Sequence, residues 1–263
     1  MLNRLGVFGR PFIYAVRLWD RFHDAPVTLH ITHWKAGSQW LHRILGACCP
    51  SRLVPPVEGF QHLMHRPMRH GLVYPTVYAT REQLQSVPFP CPVKRFIVIR
   101  DPRDTLVSLY FSMKKSHVPM AELPVIERRR SALESMNVEE GLQFLIPESL
   151  AIARIIRSWL GGDDPLIRYE DLLEDDEAIL DRVLRGHCRL PVTRRRLRRA
   201  VRENRFEQRT GGRRRGQEDT GAHERKGIAG DWRNHFTPRV KETFLQCYGD
   251  LLIAAGYERD NNW

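Results

Sequence analysis

The hydrophobic positions along the chain alternate between two periods. Val27–Thr32 (VTLHIT) is a run of β-branched and apolar residues with no turn former inside it, and predicts a buried strand. Residues 33–37 read as a short loop. Leu41, Ile44, Leu45 and Cys48 then recur at the spacing of one helical face. Residues 50–70 lose this periodicity and carry Pro50, Pro55, Pro56 and Pro67, with Glu58, His62, His65 and His70 among them. Residues 72–79 predict a second strand, weakened by Pro75. Val93–Ile99 (VKRFIVI) predicts a third, which ends at Arg100-Asp101-Pro102, with a helix capped by Asp104 after it. Residues 114–140 are polar and predict a helical excursion or lid, and residues 141–160 a helix. Residues 165–169 predict a fourth strand, followed by an acidic turn and a helix from about Asp176 to Arg185. Residues 192–203 form an arginine-rich helical pattern, residues 208–224 a long loop of Gly, Arg and acids, and residues 237–255 a closing amphipathic helix.

Strands alternating with helices predict an α/β fold: one domain over residues 25–263, with a central, mostly parallel sheet flanked by helices. No internal repeat interrupts it. Ligands in such sheets bind beyond the carboxyl ends of the strands, so the segments after Thr32, Ile99 and the fourth strand are the places to look for chemistry.

Composition changes this picture in one respect. At 263 residues, 42% hydrophobic and 28% charged, the chain is neither a disordered segment nor a polytopic membrane protein. Its net charge of +11, however, is concentrated. Residues 189–215 hold twelve arginines against Glu203 and Glu207, which accounts for nearly all of the excess. Such a strip either attracts a polyanion or forms a solvated helix face. The five cysteines are odd in number, two are adjacent, and none has zinc-site spacing, so they read as reduced thiols in a reducing compartment, the cytoplasm. No metal site is expected. Residues 1–24 form a separate arm. Arg4, Arg10 and Arg17 interrupt its apolar residues, which suits an amphipathic helix packed on the domain or in peripheral contact with a membrane, and does not suit a spanning segment.

Three segments carry candidate chemistry. Thr32-His33-Trp34-Lys35-Ala36-Gly37-Ser38-Gln39-Trp40 runs from a strand through a small loop into a helix, the P-loop-like arrangement that offers backbone N–H groups and a positive dipole end to a phosphate. It is not a Walker A motif, since the lysine precedes the glycine. Arg100, at a strand end, is followed eight residues later by Ser108, and both can reach one anion. Arg225-Lys226-Gly227-Ile228-Ala229-Gly230-Asp231-Trp232 pairs two cations with a glycine that lets the backbone wrap closely round a second phosphate.

Together these segments resemble the sulfotransferases that use 3′-phosphoadenosine 5′-phosphosulfate (PAPS), in its soluble cytosolic and bacterial branch. The resemblance runs from about Val27 to the C-terminus and is most specific at residues 225–232, which match an RKGxxGDW segment at every fixed position. It implies that Lys35, Ala36, Gly37, Ser38 and Gln39 hold the 5′-phosphosulfate, with Lys35 at the bridging oxygen. It implies that Trp40 stacks on adenine with Tyr169 nearby, and that Arg100, Ser108, Arg225, Lys226 and Gly227 hold the 3′-phosphate. Phe206 resembles the phenylalanine of an [ST]-x-F segment, with Asn204 in place of the hydroxyl residue. Trp34, Ala36 and Gln39 replace the loop's usual proline, serine and threonine. Residues 233–242 fit the family's dimerisation segment only in part, which is the sole pointer to a homodimer.

The proton acceptor departs from the family. Cytosolic members carry a histidine in a K-[ST]-H segment. The matching stretch here, Thr76-Val77-Tyr78-Ala79-Thr80-Arg81, has none. Other branches use a glutamate after the first helix, so Glu58 is the first candidate for general base, His65 the second and His62 the third. The implied reaction is in-line transfer of a sulfuryl group to a hydroxyl or amine on a small molecule, saccharide or lipid, helped by cationic stabilisation of the leaving oxygen and needing no metal. Three alternatives stay open at this level: a P-loop kinase, a catalytically dead nucleotide binder, and a nucleic-acid binder acting through the arginine strip.

Overall fold

The computed structural model describes residues 25–55, 68–116 and 124–263. The expectations for residues 1–24, and for Glu58, His62 and His65, lie outside the described residues. Strands β1 (Val27–Thr32), β2 (Val73–Val77), β3 (Val93–Ile99) and β4 (Leu166–Arg168) form one parallel sheet in the order β2-β1-β3-β4. A parallel sheet must be covered on both faces, and the side-chain alternation of the strands supplies two apolar faces. Val27, Leu29, Ile31, Ile97 and Ile99 enter one core, packed with Leu106, Trp159 and Phe244. Phe96, Val98 and Ile167 enter the other, against Leu41, Ile44 and Leu45. His30 also faces this second side, stacked on Phe96 with ring centroids 5.0 Å apart, and burial pushes its pKa down to about 3.

The helices are α1 (Ser38–Cys48), α2 (Arg81–Gln85), α3 (Pro102–Phe111), α4 (Pro124–Glu134), α5 (Val138–Glu148), α6 (Leu150–Trp159), α7 (Tyr169–Leu180), α8 (Arg194–Glu203), α9 (Phe206–Arg209) and α10 (Pro238–Ala254). Four features differ from the sequence expectation. Helix α3 is capped by Asp101, which accepts a 2.8 Å bond from Arg103 N, because Pro102 is preorganised for the first helical position. The long helix over 141–160 is two helices, broken after Pro147. Helix α7 begins directly at Tyr169 and kinks at Asp175, so the acidic stretch lies in the helix and not in a turn before it. The short α2 was not anticipated, although Thr80 and Gln83 form a capping box there.

The sheet order fixes where a ligand belongs. The chain leaves β1 to one side for β2 and then crosses to the other side for β3. This reversal opens a crevice at the carboxyl ends of β1 and β3.

Candidate active site

The loop after β1 is built for close approach. Lys35 has φ 68° and Gly37 φ 81°, so the chain makes two left-handed residues before α1 begins. For lysine that conformation costs about 1–2 kcal/mol, the kind of strain that concentrates at functional sites. At Gly37 a Cβ would lie 2.9 Å from the ring of Tyr169, so the position excludes any side chain. Helix α1 has no side-chain cap and no acid in its first turn, which leaves its N-terminal N–H groups and dipole free for an anion.

His33 ties this loop to β3. Its ring is fully buried. Nε2 accepts the backbone N–H of Arg100 at 3.1 Å, and Nδ1 bonds the carbonyl of Trp34 at 2.9 Å. A backbone N–H can only donate and a carbonyl can only accept, so the ring is neutral with its proton on Nδ1. Burial, with the charge of Arg100 adding to it, pushes its pKa down to about 4. Arg100 in turn donates to the carbonyl of Lys35 at 3.1 Å and to that of Ile228 at 3.2 Å, bridging the first and the last of the three segments.

The late loop docks through two buried carboxylates. Asp104, expected as a helix cap, instead accepts the N–H of Gly230 at 2.6 Å and of Trp232 at 2.9 Å. Asp231 holds Arg225 at 2.5 Å, Lys226 at 2.6 Å and His235 at 3.3 Å, and these partners keep its carboxyl ionised far below the usual range. Arg225 also pairs with Glu218. Gly227, at φ 65°, lies against Phe206, whose ring would sit 2.5 Å from an added Cβ.

These elements enclose one cleft of about 1190 Å³, counting its open mouth. Lys35, Gly37, Ser38, Gln39 and Trp40 line it from the loop and α1. Arg100 and Ser108 line it from β3 and α3, and Tyr169, Asn204 and Phe206 from the α7 to α9 side. Arg225, Lys226 and Gly227 close it. Ala36 is the exception among the described candidates: it is fully buried away from the cleft, and its N–H is turned toward the carbonyl of His33 at 3.4 Å. Residues the sequence reading did not assign to the nucleotide site also line the cleft, among them Trp34, Arg43, Arg209, Arg215 and Glu224. Arg209 and Arg215 belong to the arginine strip, which was the signal for them. Arg43 and Glu224, joined by a 2.7 Å ion pair, gave none.

The cleft suits a polyanion. Its walls carry many more cations than acids. Buried donors among its lining residues, Arg100 Nε, Arg215 Nε and Trp40 Nε1, have no hydrogen-bond partner among the described residues. Burial, together with the charges of Arg100 and Arg225, pushes the Lys35 pKa down to about 8. An anion beside Lys35 would relieve that repulsion. Among the described residues no group of His, Cys, Asp or Glu could hold a metal ion.

A P-loop-like turn at a sheet switch point shares one cationic cleft with Arg100, Ser108 and residues 225–227, an arrangement suited to a ligand that carries more than one anionic group. A family profile, the sulfotransferase domain, matches residues 27–256. The chain belongs to the sulfotransferase family, and it is an enzyme of that class. It is similar to a 3-alpha-hydroxysteroid sulfotransferase of Cavia porcellus, with 26% identity over 254 residues that cover 88% of this chain and 84% of the relative. Its fold is similar to that of the mouse sulfotransferase SULT7A1, solved as a complex with PAP. That likeness has a TM-score of 0.58 and 18% identity, and covers 95% of this chain and 93% of the mouse chain. Neither the kinase, the dead-binder nor the nucleic-acid reading finds support among these relatives.

Proposed function

We propose that this sulfotransferase holds PAPS across the cleft, with its phosphosulfate on the loop of Lys35, Gly37, Ser38 and Gln39 and its 3′-phosphate between Arg100, Ser108 and residues 225–227. The observation that carries this reading is the meeting in one cleft of three segments that lie far apart in the chain. Lys35 stabilises the charge that grows on the bridging oxygen as the nucleotide leaves. The first-turn N–H groups of α1 fix the phosphate for in-line attack. Trp40 and Phe206 supply aromatic faces for the adenine, with Tyr169 and Asn204 beside it. The acceptor is a small hydroxyl or amine compound, consistent with a relative named for a hydroxysteroid.

The five cysteines are free, and burial pushes the thiols of Cys48 and Cys188 up to about 12, so they are poor nucleophiles. This favours a cytoplasmic setting. A homodimer through residues 233–242 and a membrane contact through residues 1–24 are further parts of the reading. No helix among the described residues is long and apolar enough to cross a membrane.

The direct test is incubation with PAPS and a panel of 2-naphthol, a 3-hydroxysteroid, an aliphatic amine and a monosaccharide, in the presence of EDTA. A sulfated product and stoichiometric adenosine 3′,5′-bisphosphate are expected by mass spectrometry. Lys35→Ala should lower kcat by about 10²-fold or more. No product with any acceptor, together with no binding of the bisphosphate by calorimetry, would overturn the reading.

A further inference from the structure

Resting on that reading, we propose that Tyr78 is a catalytic residue: its hydroxyl receives the hydrogen bond of the acceptor and passes the acceptor's proton, through Ser38, toward the leaving phosphate. The placement of Tyr78 carries this. It lines the cleft directly after β2, the strand beside β1, so it emerges next to the loop of Lys35. Its hydroxyl oxygen is 3.1 Å from Oγ of Ser38, the first residue of α1, and either oxygen can be the donor. Its ring stacks on Trp34 with centroids 4.5 Å apart, and Trp34 is 40% exposed. An apolar platform therefore adjoins the hydroxyl pair, open to a cyclic alcohol or phenol.

The backbone is bent to put Tyr78 there. From Tyr74 to Val77, β2 advances three residues while β1 advances two, from Leu29 to Ile31. This is a β-bulge, a device that re-aims the side chains beyond it and is enriched beside active sites. Because of it Tyr74 and Val77, three residues apart, enter the same core, which regular alternation would forbid. The extra residue forces Thr76 to φ 60°, with its hydroxyl buried and without a hydrogen-bond partner among the described residues. A β-branched residue in that region is a true outlier, and strain of this kind persists only where surrounding structure imposes it. The chain after Tyr78 is pinned as well: Ala79 O accepts Trp159 Nε1 at 2.9 Å, and Arg81 N donates to Ser158 Oγ at 3.1 Å.

The step balances without a carboxylate or imidazole. The acceptor oxygen forms a bond to sulfur as the bond from sulfur to the bridging oxygen breaks. The acceptor's proton moves to Tyr78 Oη, the phenolic proton to Ser38 Oγ, and the serine proton to an oxygen of the departing 5′-phosphate. Both side chains end neutral, and rotation of the two hydroxyls resets them.

Tyr78→Phe keeps the ring on Trp34 and removes only the hydroxyl, so it is the informative variant. With the best acceptor from the panel, kcat should fall by about 10²-fold. The Kd for adenosine 3′,5′-bisphosphate should move by less than threefold in calorimetry. The Kd of the acceptor for the bisphosphate complex should weaken five- to tenfold. Ser38→Ala should lower kcat comparably, and the double variant should be little worse than either single one, since the two hydroxyls act as a unit. A Tyr78→Phe enzyme with kcat within threefold of the parent would overturn the proposal. So would additive losses in the double variant, or a loss confined to nucleotide affinity. Failure of the parent itself to bind the bisphosphate would strike the proposed function instead.

Discussion

At the scale of single residues, the site depends on groups held against their ordinary preferences. Lys35 occupies a left-handed conformation and is surrounded by Arg100 and Arg225, which together with burial lower its pKa to about 8. The sign of the resulting pH dependence follows. A bound phosphate favours the charged ammonium, so below about pH 8 Lys35 is already protonated and affinity is flat. Above pH 8 the free protein loses that proton and binding must restore it. Calorimetry with adenosine 3′,5′-bisphosphate should therefore show Kd rising by up to tenfold per unit between about pH 8 and 10, with uptake of close to one proton. Lys35→Ala should abolish this limb. Tyr78 and Thr76 make the same point on the other side of the loop, where backbone strain is exchanged for the aim of a hydroxyl.

At the scale of elements, the late loop is a docked part and not a free strap. Asp104 is 1% exposed, and its carboxylate satisfies two backbone donors of that loop while lying 3.9 Å from Arg100. Asp104→Ala would strand Gly230 N and Trp232 N in the interior. The expected loss is about 2–3 kcal/mol of stability by denaturant titration, with the bisphosphate Kd raised at least tenfold. The sequence placed Asp104 at a helix start because Asp is a good cap. What that reasoning lacked was the loop 126 residues away that needs the carboxylate more, and the proline one residue after Asp101 that moved the helix start.

At the scale of the whole molecule, part of the arginine strip is engaged in ion pairs within the chain. Asp181 pairs with Arg185 and Arg194, and Glu177 with Arg198, Arg202 and Arg205. Asp176 takes a second bond from Arg205. Four arginines of the strip, Arg194, Arg198, Arg202 and Arg205, are thus paired with acids of the segment that precedes it in the chain. Of the strip's arginines, all among the described residues, Arg209 and Arg215 reach the cleft wall. The triple variant Arg194→Ala, Arg195→Ala, Arg196→Ala should keep kcat/KM for sulfuryl transfer within twofold, and neither it nor the parent should shift duplex DNA in a gel assay at physiological salt.

The sequence by itself determined the strands, the order of the segments that line the cleft, and the family, because each of these is written locally. Apolar period, glycine at left-handed positions and the RKGxxGDW run need no distant partner to be read. Only the tertiary structure decided which charges are spent on one another, where Asp104 and His33 serve, that Ala36 turns away from the cleft, and that a bulge in β2 delivers Tyr78 beside Ser38. Those outcomes depend on residues forty to more than a hundred positions apart competing for the same hydrogen bonds and the same buried space, and no local pattern records the result of that competition.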